Sequence, residues 1–214
     1  MEERGGDERI GEQRKEAGLR GMKKIPTLFK REYDERGNVI GVTEEVAAGM
    51  EWVLAGGGEA TEKVDGSACA IINGELYKRF DAKEGRAIPD GAIPCQPARD
   101  PYTGHWPHWV KVDPASKGDK WFIRAYENTP WCREDGTYEA VGVHFQGNPY
   151  GLDADFLEKH GRIKIKDCPR TFDGIREWLR VHEAEGIVWW KDGEPRCKIK
   201  RTDFGFPWPI KEGK

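Results

Sequence analysis

The sequence predicts an α+β fold dominated by antiparallel sheet. Short segments rich in β-branched and aromatic residues recur along most of the chain, whereas only one stretch has a convincing helical period. An Asn-Gly pair stands between two such segments, the strongest short-range indication of a hairpin. Nine tryptophans and thirteen prolines against three methionines also favour aromatic clusters and defined turns over a bundle of long helices.

Each element follows from its local pattern. Residues 68–80 predict two strands joined by Asn73-Gly74. Further strands are predicted over residues 108–112, 120–126, 138–145, 162–166, 186–190 and 197–201, with a turn at 191–195. Residues 171–183 predict a helix capped by Thr171 or Asp173, with one apolar face formed by Ile175, Trp178, Leu179 and His182. Residues 43–54 are a second candidate helix.

Composition limits the domain organisation and the partners. The 214 residues suit one domain at 23–214, preceded by a charged segment at 1–22 that is too polar to order itself. The net charge of −3 gives no global attraction to nucleic acid or to a membrane. With no long apolar run and no secretory signal pattern, the chain is predicted to be soluble and cytoplasmic. Five cysteines without a CxxC motif indicate reduced thiols rather than a disulfide framework.

Five short motifs follow one another in a fixed order. TEKVDG (61–66) places Lys63 two residues before an aspartate, with a glycine next. Downstream come YEAVG (138–142), QGNPYGL (146–152), EGIVW (185–189) and KIK (198–200). A lone KxDG recurs by chance, and Lys63 alone would be read as a solvated lysine. The ordered set is what makes the pattern specific.

This series resembles the motifs of the covalent nucleotidyltransferases, which include ATP-dependent DNA and RNA ligases and mRNA capping enzymes. The chain looks most like the small single-domain RNA ligases related to the vertebrate 5′-3′ RNA ligase, over about Ala60 to Trp208. The resemblance implies a ligase-type adenylation domain, with antiparallel sheets, flanking helices and ATP bound between the sheets. Only 14 residues follow Lys200 (214 − 200), so no OB-fold domain is expected after it.

The resemblance also assigns the central chemistry. Lys63 would attack the α-phosphorus of ATP and become a lysyl-AMP. A free lysine has a pKa of about 10.4, so burial and neighbouring cations would have to favour its neutral amine. Lys198 and Lys200 alternate on one face of a strand and would supply those cations while neutralising the α-phosphate. Glu185 is the predicted ligand for Mg²⁺, with Mn²⁺ as the alternative ion.

The remaining predicted contacts surround the nucleotide. Glu62 is expected at the adenine, Glu139 at the ribose or metal, and Asn148 at the nucleotide pocket. Gly66 is expected to allow a tight turn after the nucleophile. Many DNA ligases and capping enzymes have an arginine in the sequence KxDGxR, where this chain has Ala68. Arg79, on the second arm of the predicted hairpin, is the candidate replacement.

The resulting prediction is an RNA ligase that joins a 5′-phosphate to a 3′-hydroxyl, with no protein partner inferable. A DNA nick-sealing ligase and a capping-type guanylyltransferase share the same first step and remain alternatives. A catalytically silent RNA-binding protein is the alternative from another class. For the KIK pair taken by itself, the alternative interpretation is two solvated lysines on an edge strand.

Overall fold

The computed structural model describes residues 25–101 and 103–210. Contacts divide these residues into two compact units. Unit A comprises residues 25–65, 149–151 and 160–210. Unit B comprises residues 66–148 without residue 102, together with 152–159.

The elements alternate between short strands and a few helices. The strands are β1 (Phe29–Tyr33), β2 (Val39–Val46), β3 (Glu59–Lys63), β4 (Ser67–Ile72), β5 (Glu75–Ala82), β6 (Ile93–Pro94), β7 (Trp106–Lys111), β8 (Gly136–Val141), β9 (Phe156–Lys159), β10 (Gly186–Lys191) and β11 (Glu194–Lys200). The helices are α1 (Glu51–Leu54), α2 (Lys120–Glu127) and α3 (Phe172–Val181), and a 3₁₀ turn follows at Arg201–Phe204.

Unit B contains a six-stranded antiparallel sheet in the order β6-β7-β5-β4-β8-β9. The predicted hairpin is confirmed, because Asn73 (φ 52°) and Gly74 (φ 76°) link β4 to β5. These left-handed backbone angles are those that a two-residue hairpin turn requires. Helix α2 covers one face of the sheet, where Trp121 and Phe122 pack against buried Tyr138 and its neighbours.

The prediction of a strand at residues 120–126 is wrong, since these residues form α2. Their aromatic and β-branched composition suggested a strand, but Trp121, Phe122, Ala125 and Tyr126 fall on one helical face and pack on the same apolar cluster. The packing of this face against the sheet therefore overrides local β propensity.

Unit A contains two antiparallel sheets, one of three strands in the order β11-β10-β3 and one formed by β1 and β2. Helix α3 confirms the predicted helix, and the Thr171 hydroxyl caps it by accepting the Gly174 N–H at 3.2 Å. Ile175 and Leu179 on α3 are fully buried in the core that includes Trp189 of β10.

Several other predicted boundaries change. Residues 43–54 form the end of β2 and the short α1 rather than one helix. Residues 162–166 hydrogen-bond beside β3 through Ile163 and Ile165 but form only an isolated bridge at Lys164. The strand predicted at 138–145 ends at Val141, because Gly142 takes φ 124° and breaks the pleat. Residues 25–101 and 103–210 form three antiparallel sheets in all.

The remaining coarse expectations concern the ends of the chain and its thiols. The charged segment 1–22 lies outside the described residues. All five cysteines are present as free thiols. Within residues 25–101 and 103–210, no helix is long and apolar enough to cross a membrane.

Gly186 sets the close approach of β11 to β10. A Cβ at this position would lie 2.2 Å from the Ile199 carbonyl oxygen and 3.0 Å from the Lys200 Cα, and neither backbone atom can move aside. We therefore expect Gly186→Ala to lower the free energy of unfolding by about 2–3 kcal/mol. Denaturant unfolding measures it. Gly118→Ala is the matched control, since its Cβ would meet only Ser116 Oγ at 3.7 Å. Equal stability of the two variants would contradict the packing argument.

Candidate active site

Three strands of unit A bring the predicted lysines into one row. In the sheet β11-β10-β3, Gly186 pairs with Lys63 on one side and with Lys200 on the other. Two residues along, Val188 pairs with Lys198 of β11. Because side chains directly opposite one another share a sheet face, Lys63, Lys198 and Lys200 lie on the same face.

Glu185, immediately before β10, binds two of these lysines. Its Oε2 accepts a hydrogen bond from Lys63 Nζ, and its Oε1 lies 2.8 Å from Lys200 Nζ. Glu185 is only 5% exposed. A carboxylate buried to this extent requires compensating charge, which the two ammonium groups provide. The sequence-predicted set of Lys63, Glu185 and Lys200 therefore forms one contiguous ionic cluster.

Lys198 lies beside this cluster and is half-buried. Burial is the main cause that lowers its pKa to about 8, and the positive charges of Lys63, Lys200 and Arg31 lower the pKa further, while Glu185 opposes them. A lysine in this state exchanges its proton near neutral pH. Lys63, Lys198, Lys200 and Arg31 thus give this face a local excess of basic side chains.

Arg31 and Asp203 are two charged neighbours of Lys200 that lie outside the predicted set of site residues. Asp203 is 3% exposed, and its carboxylate accepts the Lys200 backbone N–H at 2.8 Å. The same carboxylate accepts a hydrogen bond from the Arg31 guanidinium at 3.2 Å. These contacts fix the end of β11. The spacing of the residues gave no indication of them, since Arg31 and Asp203 are 172 positions apart.

Asp65 of the KVDG motif is also held in unit A. Its backbone N–H donates to the Tyr150 hydroxyl at 2.6 Å, and its carboxylate accepts the Trp208 indole N–H at 2.8 Å. Burial raises the pKa of Asp65, while the Trp208 hydrogen bond acts in the opposite direction. Burial likewise raises the pKa of Tyr150, which keeps its hydroxyl protonated. The motif series contains Asp65 and Tyr150 but assigns neither of them a role.

Glu62 precedes Lys63 on β3 and therefore points to the opposite face of the strand. Its backbone N–H donates to the Ile163 carbonyl at 2.9 Å, which fixes the main chain next to the nucleophile candidate. A contact between Glu62 and adenine stays a prediction.

Gly66, Arg79, Glu139 and Asn148 all lie in unit B. Gly66 is a glycine because of close approach and not because of the predicted tight turn. A Cβ there would lie 2.5 Å from the Ala140 carbonyl oxygen and 2.9 Å from the Glu139 Cβ, and its φ is outside the left-handed region. Gly66 and Glu139 are thus neighbours.

Arg79 lies on β5 immediately after Lys78, which pairs with Cys69 of β4. Because the two strands are antiparallel, Arg79 lies beside Ala68, the residue before Cys69. Ala68 in turn pairs with Glu139 of β8. The Arg79 guanidinium lies 3.1 Å from the Asp81 carboxylate. Its predicted nucleotide contact would therefore need to compete with Asp81, and it stays a prediction.

Asn148 closes its own loop. Its side-chain N–H donates to the Leu152 carbonyl at 2.8 Å, and its Oδ1 accepts the Leu152 N–H at 2.9 Å. Asn148 also has φ 58°, a left-handed angle that asparagine tolerates. These contacts shape the GNPYGL segment. Nucleotide binding by Asn148 stays a prediction.

The donor set can be compared with the needs of a metal ion. Among the residues that the structure describes, no group of three or more histidine, cysteine or acidic side chains could hold one. Mg²⁺ often binds proteins through one or two carboxylates, with water and substrate phosphates completing its shell. Glu185 fits that pattern as a single carboxylate, but both of its oxygens contact lysines here.

Comparison with known proteins agrees with the motif series. The family model described as RNA ligase 1 matches residues 132–214. The chain is 27% identical to RNA ligase 1 of Rattus norvegicus, in an alignment that covers 71% of this chain and 68% of the rat protein. It is 25% identical to the Mus musculus protein and 26% identical to the Danio rerio protein, with the same coverage.

This chain is similar to RNA ligase 1 of vertebrates. The resemblance predicted from the motifs is confirmed. The segment that matches the RNA ligase 1 model contains Glu185, Lys198 and Lys200, as well as Tyr150 and Trp208. Lys63 precedes the matched segment and contacts it through the ion pair with Glu185 and the strand pairing with Gly186.

The depressed pKa of Lys198 predicts a specific pH dependence of stability. Between about 8 and 10.5, the unfolded chain holds a proton on Lys198 that the folded chain has lost. The free energy of unfolding therefore rises with pH across this window. We expect wild type to gain on the order of 1–3 kcal/mol relative to Lys198→Met over that range.

Denaturant unfolding of both proteins as a function of pH measures this difference, in which titrations common to both proteins cancel. Lys191→Met is the control, because Lys191 is exposed at the end of β10. A constant difference between wild type and Lys198→Met across the window would show that Lys198 does not titrate there.

Proposed function

We propose that the chain is an ATP-dependent RNA ligase that works through a lysyl-AMP. The observation that carries the proposal is that Lys63 of β3 and Lys198 and Lys200 of β11 share one sheet face. Glu185, immediately before β10, contacts Lys63 and Lys200. A solvated lysine has no need for a buried carboxylate and two further lysines. The names of the related proteins support RNA as the material that is joined.

In the first step, Lys63 Nζ forms a bond to the α-phosphorus of ATP, and the bond from that phosphorus to the bridging oxygen breaks. Pyrophosphate leaves with the electron pair. The Lys63 ammonium must lose a proton before its nitrogen can attack, and Glu185 is the group that accepts a hydrogen bond from it. The proposal therefore requires the Lys63–Glu185 pair to open as ATP binds.

Lys198 and Lys200 would stabilise the charge that shifts to the leaving group, because fixed cations on a partly buried face interact strongly with phosphate oxygens. A divalent ion at Glu185 would add Lewis-acid stabilisation of the same phosphates. Mg²⁺ is the proposed ion, with Mn²⁺ as an alternative.

Two further transfers would complete ligation. A 5′-phosphate oxygen of RNA would attack the lysyl-AMP phosphorus and release Lys63 as the leaving amine. A 3′-hydroxyl would then attack the RNA 5′-phosphorus, forming the phosphodiester and expelling AMP. The residues proposed at the nucleotide in these steps are Glu62, Gly66, Arg79, Glu139 and Asn148.

The first test is self-labelling of the protein with α-labelled ATP and Mg²⁺ in the absence of RNA. We expect label that survives denaturation on wild type and none on Lys63→Ala, because the Lys63 amine is the group that accepts AMP. Lys191→Ala, an exposed lysine on the neighbouring strand β10, is the control and should label fully. Label from GTP instead of ATP would favour the capping-type alternative. No label on a folded protein whose intact mass shows no bound AMP would favour the silent RNA-binding protein.

Substitution of Glu185 distinguishes a role in metal binding from a role in ion pairing. We expect Glu185→Gln to slow labelling by about 100-fold or more, because the variant loses the carboxylate that faces the Lys63 proton and that would hold the divalent ion. If Glu185 is a metal ligand, the Mg²⁺ concentration for half-maximal labelling should also rise. Titration of Mg²⁺ against labelling rate measures both effects. A slower rate with an unchanged Mg²⁺ midpoint would restrict Glu185 to its ionic role.

A further inference from the structure

The segment after the 3₁₀ turn is tied firmly to helix α3. Arg201 is 5% exposed, and its guanidinium donates to three backbone carbonyls at the C-terminal end of α3. The same side chain donates through Nε to the Pro207 carbonyl at 2.9 Å. Because Pro207 directly precedes Trp208, this anchor fixes the backbone from which the Trp208 indole extends.

Trp208 reaches the loop that follows the candidate nucleophile. Its indole N–H donates to Asp65 Oδ2 at 2.8 Å, across 143 residues of sequence. The Tyr150 hydroxyl accepts the Asp65 backbone N–H at 2.6 Å, and the Tyr150 and Trp208 rings lie 5.8 Å apart between centroids. Asp65 is therefore held through both its main chain and its side chain.

The strand does not provide this restraint. Pairing of β3 with β10 ends at Lys63, which lies opposite Gly186. Asp65 is two residues further on, and its carboxylate interacts electrostatically with Lys63, Lys200 and Glu185. A displacement of Asp65 would therefore change both the path of the chain after Lys63 and the field at its amine.

We propose that Trp208 is a positioning residue, which holds Asp65 and thereby the loop after Lys63 in the geometry needed for adenylylation. This inference rests on the proposed function and adds a residue to it. Trp208 does not contact Lys63 in this assignment, and it acts through the hydrogen bond to Asp65. The motif series assigned it no role.

The alternative is that the Trp208–Asp65 bond serves stability alone. The two roles predict different kinetics. A stabilising bond alters the folded fraction but not the labelling rate of folded molecules. A positioning bond alters the maximal labelling rate and leaves the half-saturating ATP concentration nearly unchanged, since a misplaced nucleophile weakens attack more than binding.

The experiment compares Trp208→Phe, which keeps an aromatic ring and loses the N–H, with Trp52→Phe. Trp52 is half-buried in the same unit, where its ring lies beneath the Lys191 amine at 5.5 Å. Single-turnover labelling is followed at several ATP concentrations, after thermal unfolding has established that each variant is folded. We expect Trp208→Phe to lose about 10- to 100-fold in maximal rate, the scale of a hydrogen bond to a charged group, and Trp52→Phe to match wild type.

A double-mutant cycle with Asp65→Asn tests whether Trp208 acts through Asp65. We expect Trp208→Phe to cost much less in the Asp65→Asn background than in wild type, because the bond is already weakened. An equal loss in both backgrounds, or a Trp208→Phe protein that labels at the wild-type rate, would overturn the proposal.

The contact itself is read without any activity. In ¹H–¹⁵N spectra of tryptophan-labelled protein, the indole resonance missing from Trp208→Phe identifies Trp208, and Asp65→Asn should shift that resonance most. An unmoved resonance would overturn the bond. If Asp65→Asn shifts the resonance but the wild-type protein takes no label, the contact stands. The proposed function and the positioning role are then rejected together.

Discussion

The buried carboxylate of Glu185 is the constraint on which the rest of the site depends. A carboxylate this poorly hydrated is tolerated only with cations beside it, and Lys63 and Lys200 approach it from strands on either side of β10. Gly186, the next residue, permits that approach because it has no side chain to separate β11 from β10. The ionic cluster and the close strand packing therefore require each other.

The same cluster explains why one lysine differs from its neighbours. Glu185 can pair with two ammonium groups, and Lys198 is left beside them in a half-buried position. Its pKa falls to about 8 because burial and the surrounding positive charges both disfavour the ammonium form. An anionic substrate would relieve this repulsion. Several basic side chains on one face are a physical reason for that face to attract phosphates.

A second set of contacts supports the loop beyond the strand. Arg201 ties the segment after β11 to helix α3, and that segment carries Trp208 to Asp65. The KVDG motif is thus supported by residues from the far end of the described chain. Support of this kind is what keeps a reactive side chain in a narrow range of geometries. It also couples the candidate active site to the packing of α3, whose core residues Ile175 and Leu179 are fully buried.

The sequence by itself determined the hairpin at Asn73-Gly74, helix α3, strands β10 and β11, and the set of Lys63, Glu185, Lys198 and Lys200, since each follows from local turn chemistry, periodicity or an ordered motif. Only the tertiary structure decided that residues 120–126 are helical, because an apolar face packed on the sheet outweighs their β propensity. It alone also brought Trp208 and Tyr150 to Asp65 and Arg31 to Asp203. Hydrogen bonds between residues far apart in the chain leave no periodic trace in one sequence, because nothing local fixes which distant group completes them.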